Sequence, residues 1–257
     1  MKTLVLKKLS RLLLGGVFAV AGLAMTDVAV AGPSQNYGTH YAWINDFGGG
    51  VFGNTFGTGS TANMTFWWNH PSTYNLYGYP AIVRGWHYGW NPTGDTLFPK
   101  KISTITKAPV YFSYSSGGTN MAGDFAYDLF LRWDSAKSTP QTEVMIWGGH
   151  NSWPIGTKTG SSILTTGGIT YDLWEGYNSS AGYYVFTFVP KNTVGVSTAL
   201  PTSGSLNVDL KVFFNYLASK KTGSNYNNSM YLDVIEAGLE VTRGNGWSWI
   251  QGSFTAQ

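Results

Sequence analysis

The chain has 257 residues, 16 Lys and Arg against 13 Asp and Glu, 16% aromatic and only 11% charged residues, 33 glycines and no cysteine. The missing thiol excludes cysteine nucleophiles, thiolate metal sites, disulfides and redox motifs. Four of the basic residues and one acidic residue fall within the first 31 positions, leaving twelve of each beyond them, so there is no electrostatic case for nucleic acid or an anionic membrane as partner.

The first 31 residues read as a separate element. Lys2, Lys7, Lys8 and Arg11 make a basic start, residues 12–25 form an apolar run, and Ala29-Val30-Ala31 is a small-x-small cleavage signal. This predicts a secretory signal peptide over residues 1–31, and so an exported, extracellular protein with no membrane association after cleavage. A membrane anchor would need an apolar run of roughly 20 residues, longer than the one present. No internal repeat or long linker divides the remainder, so residues 32–257 are expected to form one domain and act as a monomer. A domain of that size can hold together by its core alone.

Beyond residue 31, clusters of Gly, Asn, Ser and Thr recur about every ten residues between short aromatic and β-branched runs, the pattern of an all-β sandwich or barrel. Residues 41–44, 50–56 and 64–68 read as early strands. Residues 79–90, Y-P-A-I-V-R-G-W-H-Y-G-W, bring Trp86, His87, Tyr88 and Trp90 together. Rings grouped in this way either stack on the apolar faces of sugars or fill a core, and burial tendency favours the core for any one of them. Residues 109–115 and 122–133 read as two strands, the second with Asp124, Asp128 and Phe130 on one face and Phe125, Tyr127, Leu129 and Leu131 on the other.

Residues 141–147, Q-T-E-V-M-I-W, alternate strictly and read as a strand. Val144 and Ile146 then share a core face, while Glu143, Met145 and Trp147 share the opposite one, a carboxylate beside a thioether and a flat ring. W-P-I-G at 153–156 ends that run with a proline and a glycine, as a loop at a cleft edge would, and places Pro154 there. Residues 169–175 and 182–189 resemble a hairpin, and residues 206–218 fit one amphipathic helix. In residues 231–241, Ile235, Ala237, Leu239 and Val241 make an apolar face and Glu236, Gly238 and Glu240 the other. Gly238 predicts a gap through which a ligand reaches the backbone. The plain alternative is that Glu236 and Glu240 line a solvated strand face. The same arrangement around Glu143 favours a site.

In this order and spacing, Y-P-A-I-V-R-G-W-H-Y, Y-D-L-F, Q-T-E-V-M-I-W, P-I-G and I-E-A-G-L-E resemble the secreted β-1,4-glucanases of glycoside hydrolase family 12, over nearly all of the chain beyond the leader. The resemblance implies a jelly-roll β-sandwich of two antiparallel sheets with a concave cleft and one short helix. It implies endo-acting, retaining hydrolysis of cellulose-like β-glucan, with that polysaccharide as the partner. It puts Glu143 on the nucleophile, Glu240 on the acid/base and Asp128 on the aspartate that assists the nucleophile by a shared proton or hydrogen bond. Asn54, His87, Met145, Trp147 and Pro154 fall on cleft positions. Phe56 stands where a tryptophan is usual, which predicts weaker stacking at a distal subsite, and Trp86 stands where many relatives have cysteine. Glu236 replaces the usual glutamine, and as a near neighbour of Glu240 it is expected to raise that group's proton affinity.

Such chemistry needs one ionised and one protonated carboxyl about 5–5.5 Å apart, and no metal or organic cofactor. The histidines at 40, 70, 87 and 150 lack the helical spacing of a zinc site. Two other readings fit parts of the pattern. A non-catalytic carbohydrate-binding sandwich would keep the rings but dispense with one acid. An outer-membrane barrel also joins an export signal to alternating aromatic strands, although the helical segment and uneven strand lengths disfavour it. Within the glucanase reading, cellulose, mixed-linkage glucan and xyloglucan stay open as the preferred polymer.

Overall fold

Two 24-residue strands organise the chain. The computed structural model describes residues 32–70, 76–136, 139–196 and 199–257, so the expected signal peptide lies outside the described residues. Its strands are β1 (Ser34–Tyr37), β2 (His40–Trp43), β3 (Val51–Phe56), β4 (Ala62–His70), β5 (Ala81–Gly85), β6 (Lys100–Lys101), β7 (Pro109–Arg132), β8 (Thr142–His150), β9 (Thr157–Thr166), β10 (Ile169–Asn178), β11 (Tyr183–Pro190), β12 (Ser203–Asp209) and β13 (Tyr231–Phe254). The helix α1 (Leu210–Lys220) precedes β13.

The long strands β7 and β13 pair antiparallel along almost their whole length, and each runs through two layers. One layer has the order β1-β2-β5-β13-β7-β8-β11-β10-β9. In the other, the far ends of the same two strands are flanked by β12 beside β7 and by β4 and β3 beside β13. Every pairing is antiparallel except that of β8 with β11. The edge strands β1 and β9 do not pair with each other, so the sheet does not close and the barrel reading falls away. The turn between layers follows register shifts at Val241 to Asn245. Gly244 supplies the backbone there, with φ at 101°, and an added Cβ would sit 2.7 Å from the Asn120 carbonyl oxygen.

The main core lies between the layers. Tyr114 from one half of β7 stacks on Phe125 from the other half, with ring centroids 3.6 Å apart, and α1 adds Phe213 against Tyr171 and Phe188. Val144, Ile146, Ile235, Ala237 and Leu239 point into this core, as their alternation predicts. Losing one such fully buried ring costs about 3–5 kcal/mol.

Three local expectations change. Pro109–Arg132 forms one strand, not two: S-S-G-G-T-N at 115–120 has turn composition, but Gly117 and Gly118 stay in the ladder opposite Trp247 and Gly246, and cross-strand pairing overrides local preference. The predicted helix 206–218 begins only at Leu210. Leu206 and Val208 belong to β12, paired with Phe112 and Val110 of β7, and Asp209 caps the helix by accepting from the Lys211 N–H at 2.9 Å. Strands β1, β5, β6, β9 and β12 are not among those expected; β1, β6 and β9 are short of buried apolar residues, which weakens their period-two signal.

Candidate active site

Alternation sends a second set of side chains away from the main core, onto the outer face of the nine-strand layer. Tyr41, Trp43, Tyr79, Phe130, Met145, Trp147 and Tyr183 cluster there. Cross-strand register aligns this face into rows. One row holds Val234, Phe130, Glu143 and Val185. The next runs Tyr41, Val83, Glu236, Asp128, Met145, Thr187 and Trp174. A third holds Trp43, Ala81, Gly238, Ala126 and Trp147. In a fourth, Glu240 pairs with Asp124, which pairs with His150. Glu143 and Glu240 therefore stand on opposite sides of the two rows that carry Met145 and Trp147.

Five carboxyl groups share this face, and most are shut off from water. Glu143 is 5% exposed, Asp128 3%, Asp124 1% and Glu236 0%; Glu240 keeps partial exposure. Burial pushes Glu143 well above the carboxylate range, and the charges of Glu240 and Glu236 push it further. Asp128 is raised in the same way, by burial and then by Glu143, Glu240 and Glu236. Burial raises Glu240 to about 7, against a hydrogen bond from Asp124 that lowers it. Like charges so close in a desolvated cluster cannot all ionise, so the cluster keeps protons at neutral pH.

Asp124, placed by alternation on the Asp128 face but assigned no role from sequence, proves to be Glu240's closest partner. Its carboxyl bonds that of Glu240 and accepts from the Ser152 hydroxyl at 2.8 Å. Two carboxyls joined in this way hold a proton between them. The charge of Glu143 raises Asp128, whose Oδ1 finds no hydrogen-bond donor among the described residues.

Glu236 departs from expectation. It lies four residues from Glu240, with Gly238 between them on the same face, and its charge raises Glu143 and Asp128 instead. Its Oε1 lies 2.6 Å from Nδ1 of His87, a ring packed edge-on against Trp43. The gap expected at Gly238 is also absent. A Cβ there would come within 2.3 Å of the Pro80 carbonyl oxygen, so the neighbouring backbone fills the space and no ligand can. Asn54 and Phe56 are not brought to this face. They lie on β3, in register with Phe66 and Met64, and Phe56 packs against the main core; its expected part in a subsite is therefore unsupported. Pro154 is buried in the loop after β8.

Several polar atoms on the carboxylate face have no protein partner among the described residues: Nε1 of Trp43, Trp147 and Trp174, Oγ1 of Thr187, Oδ1 of Asp128 and Oε2 of Glu236. Buried polar groups are normally paired, so a set of orphans on one face calls for an explanation. Tyr88 and Tyr183, hydrogen-bonded to each other, adjoin Glu143 and complete the rim. Sequence reasoning missed Tyr79, Tyr183 and Trp174 because nothing local marks which face of a strand becomes a cleft.

The family model described as Glycosyl hydrolase family 12 matches residues 52–257. A protein named Endoglucanase S, from Pectobacterium parmentieri, is 27% identical over 93% of this chain and 92% of its own. The Xyloglucan-specific endo-beta-1,4-glucanase A of Aspergillus niger is 32% identical over 62% of this chain and 67% of its own. Among solved structures, the native family 12 xyloglucanase from Bacillus licheniformis superposes with a TM-score of 0.70 at 28% identity, covering 87% of this chain and 95% of that one.

Proposed function

The chain belongs to glycosyl hydrolase family 12, and from that membership we propose that it is an exported, monomeric, endo-acting β-1,4-glucanase that cleaves with retention of configuration. Glu143 is the nucleophile and Glu240 the acid/base. In the first step the Glu143 carboxylate attacks the anomeric carbon, the glycosidic C–O bond breaks, and Glu240 passes its proton to the departing oxygen. In the second, Glu240 takes a proton from water, whose oxygen displaces Glu143 from the sugar. Asp124 donates a hydrogen bond to Glu240, limiting the rise in its proton affinity and fixing its position. Glu236, held by His87, raises the proton affinity of Glu143, Asp128 assists the nucleophile, and Met145 and Trp147 lie under the chain.

The observation that carries this reading is a face lined by aromatic rings on which two carboxyls, Glu143 and Glu240, stand on opposite sides of one strip. A binding module has no use for a Glu240 raised to about 7. A preference for xyloglucan is the second reading, favoured by the names of the Aspergillus and Bacillus relatives.

The test is a panel of soluble cellulose derivatives, mixed-linkage glucan and xyloglucan, with product sizes followed over time. Mid-chain cuts are expected, and Glu143→Gln should lose several orders of magnitude while keeping its fold. Activity of the variant within about tenfold of the parent would remove Glu143 from the nucleophile's role.

A further inference from the structure

Glu143 and Glu240 flank the rows of Met145 and Trp147, so a chain held between them runs along those rows, across the strands. Followed from Asp128 toward β10, the Met145 row leads through Thr187 to Trp174. Trp174 is packed against the cleft-face cluster, its indole N–H shut off from water. Past it stands Trp153, 68% exposed, with its ring edge-on to Trp174 at 6.3 Å between centroids.

The surroundings hold Trp153 in place and do not cover it. Pro154, next in the chain, is buried. Gly156 presses on β10 so closely that a Cβ would come upon the Glu175 carbonyl oxygen, and the Trp153 ring lies 3.3 Å from where a Gly195 Cβ would be. A tryptophan that is two-thirds exposed on a loop so firmly seated contributes little to the core. Its flat face instead continues the aromatic floor of the cleft.

Resting on the glucanase reading above, we propose that Trp153 forms a further sugar-binding position for the glucan chain, as an exposed stacking platform buttressed edge-on by Trp174. Two strand spacings separate β8 from β10, about 10 Å, roughly the length of a disaccharide. The platform is thus reached by polymers and longer oligosaccharides, and not by a substrate confined to the sugars over Met145 and Trp147.

The experiment compares the parent, Trp153→Ala and Trp153→Phe on a soluble β-1,4-glucan and on an aryl cellobioside. Binding is measured separately by retardation in gels containing the same polymer. Trp153→Ala should raise KM on polymer, and weaken retardation, by about tenfold with kcat nearly kept, because stacking far from the reacting carbon binds ground and transition states alike. The KM shift on the aryl cellobioside should be much smaller, and Trp153→Phe should recover most of the polymer affinity. Unchanged KM and retardation on polymer would overturn the proposal. So would equal losses on both substrates accompanied by a lower unfolding temperature, since that marks a structural residue. A parent that cleaves no β-glucan would refute the glucanase reading, whereas the gel retardation would still decide whether Trp153 binds the polymer.

Discussion

Replacing Glu240 by glutamine should move the balance of stability toward the variant as pH rises, with the gain opening above about 4.5 and nearly complete by about 7. The folded structure raises this carboxyl from 4.5 to about 7, so the native state binds its proton more tightly than the unfolded chain does. The associated stability is fully present below about 4.5 and is lost as pH rises through about 7. A gap of roughly 2.5 units corresponds to about 3 kcal/mol. For a domain of this length that is about 6–12 °C in Tm. The parent's own curve is not diagnostic, because His40, lowered by burial to about 4, and the likewise lowered His70 and His150 titrate in the opposite sense over the same range. The measurement is therefore the difference in Tm between Glu240→Gln and the parent, taken from pH 4.5 to pH 8.5. Any fixed cost of burying the amide cancels in that comparison. The difference should grow with pH toward the variant. A difference that stays flat would refute the claim that Glu240 sits desolvated beside other carboxyls, and with it the physical basis for its role as an acid.

Glu236→Gln should remain active on polymer with its acid limb moved to lower pH, because the charge removed is one that raises the proton affinity of Glu143; a shift confined to the basic limb would contradict this. Glu240→Ala should lose several orders of magnitude on polymer but keep rapid glycosyl-enzyme formation from a dinitrophenyl cellobioside, which needs no proton donor, with azide speeding the second step. If Glu236→Gln shows that leaving-group dependence and Glu240→Ala does not, the acid is Glu236. Trp147→Ala should weaken binding and turnover together; a fall in thermal stability alone, with substrate affinity intact, would make Trp147 only a core residue.

Periodicity of two was enough to separate the faces of β8 and β13 and to put Glu143, Met145, Trp147, Glu236 and Glu240 on one side. Family motifs added the roles. What alternation lacks is register. That Asp124 lies opposite Glu240, that Glu236 lies opposite Asp128 and reaches His87, and that Gly238 backs onto Pro80 all follow from how β5, β7 and β13 align. No local pattern encodes that alignment. The same limit split β7 at its glycines and merged β12 into α1, although Asp209 followed by an apolar helical stripe is a start signal that could have set the boundary. Phe56 misled differently, since a motif position carried a cleft role onto a residue that this chain turns toward its core.

The central claim is that Glu143 forms the bond to the sugar. It is tested most directly by incubating the enzyme with a 2-deoxy-2-fluoro cellobioside carrying a dinitrophenyl leaving group, which forms the glycosyl-enzyme faster than it is hydrolysed, and by locating the label in the digested protein by mass spectrometry. The account predicts a single glycosyl ester on Glu143. A label on Asp128 or Glu236, or release of dinitrophenol with no covalent species and an inverted product, would contradict it.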